Sequence, residues 1–153
     1  MDKEKLISEI RNAFCGSYRP NVENIIKHDC QECHSLRDDF AKFSWEDIPS
    51  EIIDKNFDNL PLLTIEAYYH YVPAYMIRAI QLDDPYSTLT EFLIYSFYFQ
   101  GEPTRITDFI RKKSLFTTNQ VVAVRLFLNY ILSNPKYRHH HEDVNLALKE
   151  WNK

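Results

Sequence analysis

The sequence predicts an all-α fold, a compact single domain over residues 1–153 with about seven or eight helices packed in layers. Three observations predict it. Only two of its 153 residues are glycine, Gly16 and Gly101, whereas sandwiches and barrels turn tightly on many glycines. Apolar residues recur at three- and four-residue spacing along most of the chain. Helix-starting residues stand just ahead of those stripes: Asp2, Thr64, Thr88 with Glu91, and Thr117 with Gln120. The composition is 44% hydrophobic and 14% aromatic. Such a chain buries roughly 70% of its unfolded surface without help from disulfides or metal.

Asp2 caps a first helix to about Phe14, with Leu6, Ile7, Ile10 and Phe14 on one face. Gly16 and Pro20 break the chain, and 21–29 reads ambiguously. A second helix fits Gln31 to Phe43, where Cys33, Leu36, Phe40 and Phe43 form a stripe. Pro49 suits the first turn of a short helix carrying Ile52 and Ile53. Thr64 caps a third long helix, and Pro73 inside its pattern is expected to kink or divide it, because proline lacks the N–H and clashes with the preceding turn. Thr88 and Glu91 read as a capping box for a helix through Phe99. A short helix fits Thr107 to Lys113. Thr117 and Gln120 read as a second capping box, opening an apolar helix to Leu132. Val144, Ala147, Leu148 and Trp151 mark the last helix, with Asp143 expected to help cap it.

The net charge is −4, unevenly spread. Residues 1–103 hold 18 acids against 9 bases, and residues 104–153 hold 9 bases against 4 acids. Between Asn56 and Pro103 the only Lys or Arg is Arg78. Such a field repels nucleic acid and suits a basic protein partner. No apolar run approaches the ~20 residues of a membrane span. The odd cysteine count (Cys15, Cys30, Cys33) and the absence of an apolar leader give a cytoplasmic expectation.

Three groups of residues invite chemistry. His28, Cys30 and Cys33 have metal-ligand types, but no second pair follows at zinc-site spacing, so no metal and no cofactor is expected and the three stand as weak candidates. His139-His140-His141 reads as a polar loop. Leu63 to Tyr75 packs four tyrosines and one histidine around Pro73. Tyr68, Tyr71 and Tyr75 share a face and suit the core, while Tyr69 and His70 point elsewhere. Tyr95, Tyr98 and Phe99 add a second aromatic patch.

Three fragments stand in order along most of the chain: Ile10-x-x-Ala-Phe14 with Pro20 shortly after; Leu63-Thr-x-Glu-Ala with Tyr71, Pro73, Ala74 and Tyr75; and Gln120-x-x-Ala-Val-x-x-Phe-Leu128. With Cys30-x-x-Cys33 followed by Trp45, this order resembles an uncharacterised family of small bacterial proteins, a domain of unknown function. His70 stands where that pattern has an aromatic residue. The resemblance implies a helical fold and a bacterial origin, and it brings no activity.

The functional expectation is an interaction protein without catalytic residues. In its most concrete form it is an immunity protein that occludes a basic toxin domain, such as a nuclease. Its binding surface is expected at a groove between the 68–75 and 92–99 helices. Glu66, Asp83, Asp84 and Glu91 would form the rim, with Tyr69 and His70 as exposed anchors. The alternatives are a zinc- or thiol-dependent enzyme centred on His28, Cys30 and Cys33, and a non-catalytic regulatory subunit.

Overall fold

In a computed structural model describing residues 1–153, eight α-helices pack as one all-α domain: α1 (Lys3–Phe14), α2 (Gln31–Ala41), α3 (Ser50–Lys55), α4 (Ile65–Leu82), α5 (Thr88–Tyr95), α6 (Ile106–Ser114), α7 (Thr118–Leu132) and α8 (His141–Trp151). Helix starts follow side-chain chemistry. The side chains of Asp2, Thr64 and Thr117 accept from the main-chain N–H of Lys5, Ala67 and Gln120, which satisfies donors that have no partner within the helix. Thr117 and Gln120 form the reciprocal box expected of them.

Five helices close a ring: α1 on α4, α4 on α5, α5 on α8, α8 on α7, and α7 on α1. Leu6, Ile10, Tyr71, Tyr75, Phe97, Phe127 and Trp151 are fully buried within one continuous core. α3 and α6 pack against other sides of α4. The stretch 21–29 contributes one antiparallel bridge, Ile26 opposite Leu63, with Thr64 N–H donating to the Ile25 carbonyl. That bridge ties the loop to the start of α4.

Some boundaries differ from the sequence reading, each for a physical reason. α4 runs unbroken through Pro73, because burial of all but Tyr69 among residues 67–77 holds the helix together across the missing donor. α2 ends at Ala41, leaving Phe43 outside. The cap of α5 is Ser87, whose hydroxyl accepts from Thr90 N–H, so Thr88 lies one residue inside and makes no box with Glu91. α5 also ends at Tyr95, short of Phe99. Pro49 stands at the N-cap of α3. α8 opens at His141, so Asp143 falls in its first turn.

Candidate functional site

The buried tyrosines of α4 have a shared task. The Tyr71 hydroxyl donates to the carbonyls of Phe40 and Phe43 at 2.9 and 2.8 Å, at the end of α2. Tyr75 donates to the Asn56 carbonyl at 2.7 Å, at the end of α3. Tyr68 meets the Ser96 hydroxyl at 2.9 Å, at the end of α5. The last turn of a helix leaves carbonyls without partners, and a long rigid phenol reaches them from a neighbouring helix. Trp45 Nε1 does the same for Phe14 at the end of α1. The aromatic density of this segment therefore belongs to the core, and burial raises the pKa of all three phenols.

His70 corrects the expectation of an exposed anchor: it is 2% exposed. The Trp45 main-chain N–H donates to its Nε2 at 3.1 Å, and Nδ1 faces the Ser17 hydroxyl at 3.2 Å. Nε2 is thus the acceptor and Nδ1 carries the hydrogen, which defines a neutral ring. Burial lowers its pKa to about 4, with the Arg19 guanidinium acting in the same direction. Tyr69 is half-buried, its hydroxyl accepting from Gln120 Nε2 at 2.9 Å and its ring edge-on to Phe116.

The acids predicted for a rim do not act together. Asp83, in the left-handed region at φ 48°, closes α4. Its carboxylate accepts from the hydroxyls of Tyr130 (2.8 Å) and Tyr137 (3.0 Å) and pairs with Lys3 (3.2 Å) and Lys136 (2.7 Å). Partial burial opposes its ionisation, but these donors outweigh it and hold its pKa well below the usual carboxylate range. It is a junction between α4, α7 and the turn before α8. Asp84 is exposed, and its carboxylate accepts from Tyr86 N–H. Glu66 is half-buried. Glu91 accepts from the Tyr95 hydroxyl at 3.1 Å.

The expected groove between α4 and α5 is filled by the core, and the aromatic surface lies on the outer side of α5. Phe57 packs on Phe92 at 6.1 Å between ring centroids, Phe92 on Tyr95 at 6.2 Å, and Tyr95 on Tyr98 at 6.4 Å. Phe92 is 37% exposed. Carboxylates flank this ladder: Glu91 holds Tyr95, and Asp143 accepts from the Tyr98 hydroxyl at 2.7 Å. Burial and these carboxylates raise the pKa of both phenols, with Glu142 adding to the effect at Tyr98. Exposed Asp58 follows Phe57 in the chain. Tyr86, 82% exposed, stacks on His139 with centroids 5.2 Å apart.

The sequence reading missed Phe57, Glu142 and Asp143 as members of this face. Only the packing of α5 on α8 brings Asp143 to a tyrosine 45 positions earlier. The histidine run is also taken apart rather than left as a polar loop: His140 is buried with Nε2 2.9 Å from the Pro85 carbonyl, and His141 Nε2 lies 3.1 Å from the Ile131 carbonyl. His28 and Cys30 are exposed and Cys33 is buried. No group of three His, Cys, Asp or Glu side chains is gathered for a metal ion. No single helix is long and apolar enough to cross a membrane.

A family model described as a family of unknown function (DUF6714) matches residues 2–153. No curated protein matches the chain, and no solved structure does.

Proposed function

The chain belongs to that family of unknown function across nearly its whole length, and from this premise we propose a non-catalytic interaction protein whose outer α5 face receives a basic protein partner. One observation carries the reading. Four rings in tilted and edge-on contact, Phe57, Phe92, Tyr95 and Tyr98, lie beside Glu91, Glu142 and Asp143, with exposed Asp58 next to Phe57 in the chain, in a chain with no Lys or Arg between Arg78 and Arg105. Aromatic rings supply contact area at little entropic cost, and carboxylates steer a cationic surface into register. Tyr95 and Tyr98 are already held by hydrogen bonds, so they lose little freedom on binding.

In its most concrete form the partner is a basic toxin domain, such as a nuclease, and the chain is its immunity protein. The acid-rich body would cover the cationic cleft that such an enzyme needs for its own substrate. The test is a titration with the product of the adjacent gene at low and high salt. Tight binding that weakens with salt, and weakens again in Glu91→Lys and Phe92→Ala, supports the reading. No binding by any adjacent product removes its basis.

A further inference from the structure

Cys30 and Cys33 occupy the first turn of α2 in unlike surroundings. Cys30 is the N-cap of an 11-residue helix and is exposed, and its Sγ accepts from the Cys33 N–H at 3.2 Å. Cys33, three residues on, is 0% exposed, beneath the same turn. The neighbouring thiol lowers the pKa of Cys30 and raises that of Cys33, which favours the thiolate at Cys30 and the thiol at Cys33. A main-chain donor and the positive end of the helix act on Cys30 in the same sense. Two thiols thus share one helical turn, joined through the Cys33 N–H to Cys30 Sγ bond, one open to a reagent and one shielded.

We propose that Cys30 and Cys33 are a redox-active dithiol that exchanges with small-molecule disulfides. The Cys30 thiolate attacks one sulfur of the disulfide, forming a mixed disulfide and releasing one thiolate. Cys33 then loses its proton and attacks the Cys30 sulfur, closing a Cys30–Cys33 bond and releasing the second thiolate. The protein is oxidised by two electrons and the small disulfide is reduced to two thiols. No strand-bearing thioredoxin-like frame is needed, because the exposed attacker and the shielded resolver both come from a single helix turn. This site is separate from the α5 face, and its test is independent of any partner.

The probe is oxidised glutathione added to the reduced full-length protein, followed by peptide mass mapping. Cys15 is also exposed and serves as an internal reference. The wild type should end with a Cys30–Cys33 disulfide and no retained glutathione, while Cys33→Ala should keep one glutathione on Cys30. In iodoacetamide competition at neutral pH, wild-type Cys30 should react several-fold faster than Cys15, and this measurement does not depend on the folding of a variant. Glutathione persisting on wild-type Cys30, or Cys15 reacting as fast as Cys30, would overturn the proposal.

Discussion

The main-chain N–H of Trp45 donates to His70 Nε2 at 3.1 Å, joining the loop after α2 to the middle of α4. That bond requires an unprotonated Nε2. With the pKa lowered to about 4 by burial, against about 6.5 in the unfolded chain, the unfolded state binds more protons between these values. The contribution is complete above about pH 6.5 and is lost as pH falls toward 4, by up to about 3 kcal/mol. Denaturant midpoints for the wild type should fall across this range. In His70→Gln, less stable at neutral pH, the slope should flatten.

Asp83→Asn keeps a side chain tolerant of the left-handed conformation while removing the charge. The two lysines are substantially exposed and add little, so most of the loss comes from the Tyr130 and Tyr137 hydroxyls. Thermal unfolding should show a cost of about 2 kcal/mol. Wild-type stability from this carboxylate is present above about pH 4 and declines as the pH falls below that.

Thr90 Oγ1 is buried with no hydrogen-bond partner in the protein. Thr90→Val replaces the hydroxyl with a methyl of similar shape, which removes an uncompensated polar group from the core. The variant should be more stable by about 1 kcal/mol in chemical denaturation. A loss of stability would place a partner on that hydroxyl.

Lys112 carries its ammonium 4.1 Å from the centre of the Tyr68 ring and donates to the Ser96 carbonyl at 2.8 Å. Burial, aided by nearby Lys27, lowers its pKa to about 7. Its unfolded value is about 10.4, so the unfolded state holds the extra proton between pH 7 and 10. Wild-type stability should therefore rise with pH over that window. The cost of burying the charge is fully present below pH 7. Lys112→Met should compare best with the wild type near pH 6, and its relative standing should decline by a few kcal/mol toward pH 10.

At the proposed interface, Glu91→Lys, which removes the acceptor of Tyr95, and Phe92→Ala, which removes a ring packed on Phe57 and Tyr95, should each cost about 1 kcal/mol in stability and leave the fold intact. Binding of a basic partner should weaken at least tenfold in the charge reversal, about 1.4 kcal/mol, chiefly through slower association at low salt. Surface plasmon resonance on both variants separates the rate terms.

Helix class and order were legible because stripes and caps are local: Asp2, Thr64, Thr117 and Gln120 act within one turn of themselves. The core placement of Tyr68, Tyr71 and Tyr75 followed from their shared helical face and is found. The α5 cap was placed one residue late, since Ser87 and Thr88 offer the same hydroxyl chemistry and the turn at Asp84 decides between them. His70 was misplaced because its off-stripe position implies solvent only if nothing else covers it. Here the chain segments at Ser17 and Trp45 fold over it.

By itself, then, the sequence determined the helices, the starts of α1, α4 and α7, and the acid-rich stretch that lacks Lys and Arg, all properties of residues near one another along the chain. Tertiary structure alone decided that Asp83 is a junction, that the α4 phenols cap the ends of α2, α3 and α5, and that Asp143 meets Tyr98 beside the α5 ladder. Those outcomes depend on which helices become neighbours when the five-helix ring closes, and contacts between residues 19 to 80 positions apart have no periodic signature in a single chain.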